Sequence, residues 1–175
     1  GHDLVRGAEK IKQKIGYMSQ KFSLYDDLTV FENLEFYAGL YNIPYRERKK
    51  RIAEMLELSL LEGKENELVA NLSGGFKQRL AMGCSLISRP SILFLDEPTS
   101  GISPVSRRMF FKIIQGLANE GVTVMVTTHF MDEAERCYSI AFISEGTLIA
   151  NDTPDNLKNN VIKGCLVEVD LPDAL

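Results

Sequence analysis

The run Ser91-Ile92-Leu93-Phe94-Leu95, closed at once by Asp96-Glu97-Pro98, constrains this chain more than any other stretch. An unbroken apolar run of this length, ending in acids, is the pattern of a strand covered on both faces, as in a parallel sheet flanked by helices. A second run of the same kind, Val122 to Thr128 (VTVMVTT), follows. Between them Ser103-Pro104 places a capping hydroxyl before a proline at the first helical position, which predicts a helix to Asn119 closed by Gly121. Strand, helix and strand in this order indicate an α/β core with a parallel sheet.

Upstream, Lys14 to Ser19 reads as a short strand ending at Gln20. Apolar and aromatic residues then recur at helical spacing: Val30, Leu34, Tyr37 and Ala38 within Thr29 to Gly39, and Ile52, Met55 and Leu56 within Tyr45 to Leu58. A third helix is expected from an N-cap at Ser73 to about Ser88. Residues 21–88 therefore form a helical lobe set into the α/β core. Downstream, a short helix is expected from Met131 to Cys137, and a hairpin over Ile140 to Ala150 turning at Glu145-Gly146. A helix beginning at Thr153-Pro154 and an edge strand over Cys165 to Leu171 complete the pattern.

Lys and Arg number 20 against 24 Asp and Glu, a net charge of −4. That balance argues against nucleic acid as the main partner, but it leaves room for an anion held by backbone donors at one place. The three cysteines, Cys84, Cys137 and Cys165, show no CxxC spacing, so neither a disulfide framework nor a zinc site is expected. No apolar run is long enough to span a bilayer.

Four short segments carry chemistry. Gln20 ends a strand before an aromatic-rich loop. In Leu72-Ser73-Gly74-Gly75-Phe76, a serine cap and two glycines leave amide donors free at a helix start, where the dipole favours a phosphate. Asp96 and Glu97 close an apolar strand at its C-terminal end, where ligands sit in open α/β sheets. Asp96 is suited to holding Mg²⁺, and Glu97 to orienting or deprotonating a water. His129 follows the strand Val122 to Thr128 directly and can reach the same edge.

Together and in this order, these segments resemble the ATP-binding cassette (ABC) ATPases of ABC transporters. Gln20 matches the Q-loop, Leu72 to Phe76 the signature motif, Ile92 to Pro98 the Walker B strand with its glutamate, and His129 the H-loop. Gly16 to Gln20 followed by Leu24 to Val30 is similar to the subfamily that drives ABC-2 type exporters, multidrug exporters among them. The implied fold is a P-loop NTPase-like core with an inserted helical lobe. Residues 1–20 would end the ATP-binding core and 21–88 form the lobe with the signature. Residues 89–164 would carry Walker B and the H-loop, and 165–175 a C-terminal extension. The family's phosphate loop, GxxxxGK[ST], is absent: Gly63-Lys64 is followed by Glu65, with Leu58 where the first glycine should stand. The expectation is a domain truncated before the Q-loop, lacking the N-terminal βαβ and Walker A unit and inactive by itself. Phe76 stands where the signature most often has Gln, and Ser103 where an Asp after Walker B is usual.

The resemblance implies ATP and Mg²⁺ as ligands. Ser73, Gly74 and Gly75 would grip the γ-phosphate of an ATP held by a second ABC ATPase domain in a head-to-tail dimer. Asp96 and Gln20 would hold Mg²⁺, and Glu97, His129 and Gln20 would carry the hydrolysis. Transmembrane permease subunits would dock along Phe22 to Tyr45, placing the protein peripherally at the cytoplasmic face of a membrane, with no nucleic acid partner. The basic run Arg46 to Arg51 suits either a solvated helix face or anionic lipid headgroups. Two alternatives stay open: a non-hydrolysing regulatory lobe of ABC type, and a non-transport ABC ATPase.

Overall fold

The computed structural model describes residues 8–21 and 23–161. The chain divides into two compact units, residues 1–129 and 130–175. The division falls after His129. The helical residues 21–88 have no core of their own, because their buried side chains join those of the sheet in one continuous cluster.

In the first unit, a short helix α1 (Ala8–Lys12) precedes strand β1 (Ile15–Met18). Helices α2 (Val30–Leu40) and α3 (Tyr45–Leu58) follow, then a single 3-10 turn at Val69–Asn71 and helix α4 (Gly74–Leu86). Strand β2 (Ile92–Asp96), helix α5 (Pro104–Asn119) and strand β3 (Thr123–Thr127) complete it. The sheet order is β1-β2-β3, all parallel, with Met18 opposite Leu95 and Asp96 opposite Thr127. The expected strands and long helices are present within a residue or two. Helix α1 and the 3-10 turn have no counterpart among the expected elements, and α4 ends at Leu86 instead of near Ser88.

Local chemistry accounts for these elements. Thr29 and Glu32 form a reciprocal capping box at the start of α2, the hydroxyl accepting from the Glu32 amide and the carboxylate accepting from the Thr29 amide. These hydrogen bonds hold the Glu32 carboxyl below its ordinary range. Helix α2 buries Val30, Leu34 and Ala38, and α3 buries Ile52, Met55 and Leu56. Helix α4 is buried almost throughout from Leu80 to Leu86 and packs against α2, α3 and β1. Two glycines allow that closeness. A Cβ on Gly16 would lie 2.5 Å from the Ser85 carbonyl oxygen, and one on Gly83 would lie 2.7 Å from Ser59 Oγ. Ser103 accepts from the Ser106 amide, and α5 buries Phe110, Phe111, Ile114 and Leu117.

One face of the sheet, with Gly16, Met18, Leu93 and Leu95, is buried in this core. The other face displays Tyr17 and Met125, each 58% exposed.

The loop after Gln20 is fastened to the helices. Asn33, fully buried, accepts from the Tyr25 amide (2.9 Å) and donates to the carbonyls of Tyr25 and Thr29 (3.0 Å each). Lys77 Nζ donates to Asp26 Oδ1 (2.8 Å), and the Tyr37 hydroxyl donates to the Ser23 carbonyl. Of the expected docking aromatics, Phe31, Tyr37 and Tyr41 pack on the core, while Tyr25, Phe36 and Tyr45 are exposed. Phe22 lies outside the described residues.

In the second unit, helix α6 (Met131–Ala134) is shorter than the expected span to Cys137. Strands β4 (Ile140–Ser144) and β5 (Thr147–Asp152) pair as an antiparallel hairpin. Its turn residues Glu145 and Gly146 both have positive φ, the pattern of a two-residue primed turn. Helix α7 (Pro154–Val161) follows, with Thr153 Oγ1 accepting from the Asn156 amide. The expected strand Cys165 to Leu171 lies outside the described residues.

Two outcomes are expected. Asn33→Ala, which strands several backbone groups of the loop, lowers unfolding free energy by about 2–3 kcal/mol in urea melts; an unchanged midpoint would refute the anchoring role. Burial, aided by Cys84, Tyr25 and Tyr41 nearby, pushes the Tyr37 phenol up from 10.0 to about 12. The folded state therefore keeps a proton that the unfolded chain loses first, and stability falls as pH rises through this interval. Melts across it, paired with ultraviolet titration, check the sign, and Tyr37→Phe removes this contribution.

Candidate functional site

Because all three strands run parallel, their C-terminal ends share one edge, and the register decides what meets there. Met18 pairs with Leu95, so Gln20, two residues on, comes level with Glu97. Leu95 pairs with Val126, which brings His129 to the same edge. Gln20 Nε2 donates to Glu97 Oε2 at 2.8 Å. His129 Nδ1 lies 3.4 Å from that same oxygen. One carboxylate oxygen is thus held between an amide from β1's end and a ring from β3's end.

Asp96 faces differently, as successive strand residues do. Its Oδ1 accepts from the Thr127 hydroxyl at 2.6 Å. Thr127 Oγ1 in turn accepts from the Glu97 amide at 3.1 Å, so one hydroxyl locks both acidic positions. Nothing in the spacing of the sequence singles out Thr127; its one signal is a hydroxyl near the end of an apolar strand, and the register sets it directly opposite Asp96.

Glu97 has φ of +42°, a conformation that non-glycine residues rarely adopt and that costs about 1–3 kcal/mol. It is sustained from both sides: the Glu97 amide donates to Thr127, and the Glu97 carbonyl accepts from the Ser100 amide. The carboxylate is a third exposed and the His129 side chain 57% exposed, so a soluble ligand can reach both.

Ser73, Gly74 and Gly75 stand elsewhere in the unit. Ser73 occupies the N-cap position of α4, but its hydroxyl makes no capping hydrogen bond, contrary to the expected side-chain cap. Both glycines abut the start of α5. A Cβ on Gly75 would meet Ser106 Oγ at 3.0 Å, and one on Gly74 would meet Ile102 at 3.9 Å. Ser73 and Gly74 are exposed at a helix start whose first amides have no helical partner. The structure brings Gln20, Asp96, Glu97 and His129 together at the strand ends, and sets Ser73 to Gly75 at the start of α4 against Ile102 and Ser106. The two regions are linked through Gln78 of α4, almost fully buried, whose Nε2 lies 3.5 Å from the Ser100 carbonyl. Phe76 lies between two cations, with Lys64 Nζ 4.6 Å and Arg79 Cζ 4.5 Å from its ring centre.

Among the described residues no group of three or more His, Cys, Asp or Glu is placed to hold a metal. Asp96 and Gln20 supply one carboxylate and one amide. That donor set fits Mg²⁺, which keeps several waters and takes phosphate oxygens beside few protein ligands. No helix among the described residues is long and apolar enough to cross a membrane.

A family profile described as ABC transporter matches residues 1–100. A probable multidrug ABC transporter ATP-binding protein of Escherichia coli, YbhF, is 51% identical over 90% of this chain and 27% of its own length. The linearmycin resistance ATP-binding protein LnrL of Bacillus subtilis is 39% identical over 90% of this chain and 51% of its own length. The chain thus spans only about a quarter to a half of these curated relatives. A solved ATP-binding subunit of an ABC transporter superimposes with a TM-score of 0.77 at 26% identity, over 92% of this chain and 68% of that one. The ATP-binding cassette MJ0796, solved as a post-hydrolysis dimer with ADP and Pi, does so with a TM-score of 0.74 at 29% identity, over 87% of this chain and 68% of that one.

Thr127→Val, which removes the hydroxyl and keeps the shape, is expected to cost about 1 kcal/mol in denaturant melts, while Thr127→Ser retains most of that stability. Equal stability of all three proteins would rule out the lock.

Proposed function

The chain belongs to the ABC transporter family, and from that premise we propose that it forms part of an ATP-binding subunit that couples ATP binding and hydrolysis to export across a membrane. The observation that carries this reading is Glu97 Oε2 held between Gln20 and His129, beside Asp96 on the same strand end. Phosphoryl transfer to water asks a protein mainly for positioning and charge stabilisation.

In this reading Glu97 orients the attacking water and takes its proton. Gln20 and His129 fix the carboxylate beforehand, and His129 contacts the γ-phosphate. Asp96 and Gln20 would hold Mg²⁺, which when bound would neutralise phosphate charge. Thr127 keeps Asp96 in place. Ser73, Gly74 and Gly75 bind the γ-phosphate of a nucleotide held by a second ATPase domain, which suits the exposure of Ser73 and Gly74 at the start of α4. No residue of this chain is assigned to the phosphate loop. Permease subunits dock on the exposed aromatics of the α2 region, where Tyr25 and Phe36 meet edge-on at 4.7 Å. The subunit works peripherally at the cytoplasmic face of the membrane. Relatives named for multidrug transport, linearmycin resistance and Nod factor export favour export over the regulatory and non-transport alternatives.

The test is Glu97→Gln in the intact protein with its membrane partners. Turnover should fall by about a hundredfold or more, as loss of a positioned base predicts, while ATP binding persists. Unchanged turnover would mean that Glu97 is not the base.

A further inference from the structure

Helix α3 begins with five basic residues, Arg46, Arg48, Lys49, Lys50 and Arg51, against a single acid, Glu47, in a chain whose net charge is −4. The fold uses two of these cations. Arg48 Nε donates to the Ile43 carbonyl at 2.9 Å, and Arg51 turns toward Glu54, with Nε 3.8 Å from Oε2. Arg89 reaches that same Glu54 oxygen at 2.6 Å, and its hydrogen bond, with the charges of Arg51 and Lys50, holds the Glu54 carboxyl below its ordinary range. Arg46, Lys49 and Lys50 are exposed at i, i+3 and i+4, one stripe along the start of α3. The stripe begins at an apolar turn. Leu40, the last residue of α2, is 62% exposed, and Tyr45, the first of α3, is 81% exposed.

An aliphatic and an aromatic side chain beside three solvent-facing cations match the chemistry of a bilayer surface with negative headgroups. Tyrosine settles at the headgroup level, and each nearby Lys or Arg adds attraction. The core-facing side of α3 is already spent on packing, so the helix can rest on such a surface without inserting. We infer that the 40–45 turn and the Arg46, Lys49, Lys50 stripe form a contact surface for anionic phospholipid headgroups. This goes beyond the ATPase reading and does not depend on it.

The test is co-sedimentation of the purified chain with phosphatidylcholine vesicles, with and without phosphatidylserine, at low salt. The chain should pellet only with the anionic vesicles and be released in molar salt. The triple variant R46Q/K49Q/K50Q should bind at least about tenfold more weakly, since each charge is worth about fivefold, with its circular dichroism unchanged. Tyr45→Ser should weaken binding less. Absence of binding to anionic vesicles, equal binding to neutral ones, or full binding by a folded triple variant would each overturn the proposal. Failure on vesicles with retained binding to an acidic protein surface would likewise overturn it. The salt dependence of the unaltered chain decides the matter even if the triple variant does not fold, and none of these results bears on Glu97.

Discussion

Strand β2 is hydrogen-bonded in parallel on both sides, and everything at the candidate site depends on that pairing. Parallel pairing sends three chain ends out of the sheet in one direction. The register then fixes which residues emerge side by side. A slip of one residue would turn each side chain to the opposite face, and Gln20 would lose Glu97 while Thr127 lost Asp96. The packing of α4 supports the same arrangement from below, because Gly16 and Gly83 let the helix lie close against β1 and α3.

The backbone at Glu97 shows what this support sustains. A left-handed glutamate survives only where its surroundings over-determine it. Here the strand hydrogen bond to Thr127, the Thr127 hydroxyl and the turn closed by Ser100 hold the backbone, while Gln20 and His129 hold the carboxylate. Strain at one acid, with its neighbour Asp96 in an ordinary strand position, separates two chemically similar groups into two settings.

Much of this is legible in the residues themselves. Apolar runs mark β2 and β3, Ser103-Pro104 marks the start of α5, and Glu145-Gly146 marks the hairpin turn, because each depends on chemistry within a few residues. The periodicity of Tyr45 to Leu58 gives a helix with the limits observed. Less legible are features set by distant partners. Thr127 acquires its place only once β3 is laid beside β2 in register. Ser73 has the composition of a cap, yet its hydroxyl does not bond back to the helix. Nor does helical spacing within residues 21–88 reveal that their core is shared with the sheet, since α4 buries against the helices and β1 at once.

Asn33 grips Tyr25 by both its amide and its carbonyl, from a helix that is itself capped and buried. Tyr25 is therefore a fixed post on one side of Gln20, and Met18, paired in the sheet two residues before it, is a second. At about 3.3–3.6 Å per extended residue, the strand keeps the Gln20 Cα within roughly 7 Å of Met18. Only the side chain is left to turn away from Glu97, so whatever its amide touches next lies within a side chain's length of the strand end, and the helices need not move for it to return.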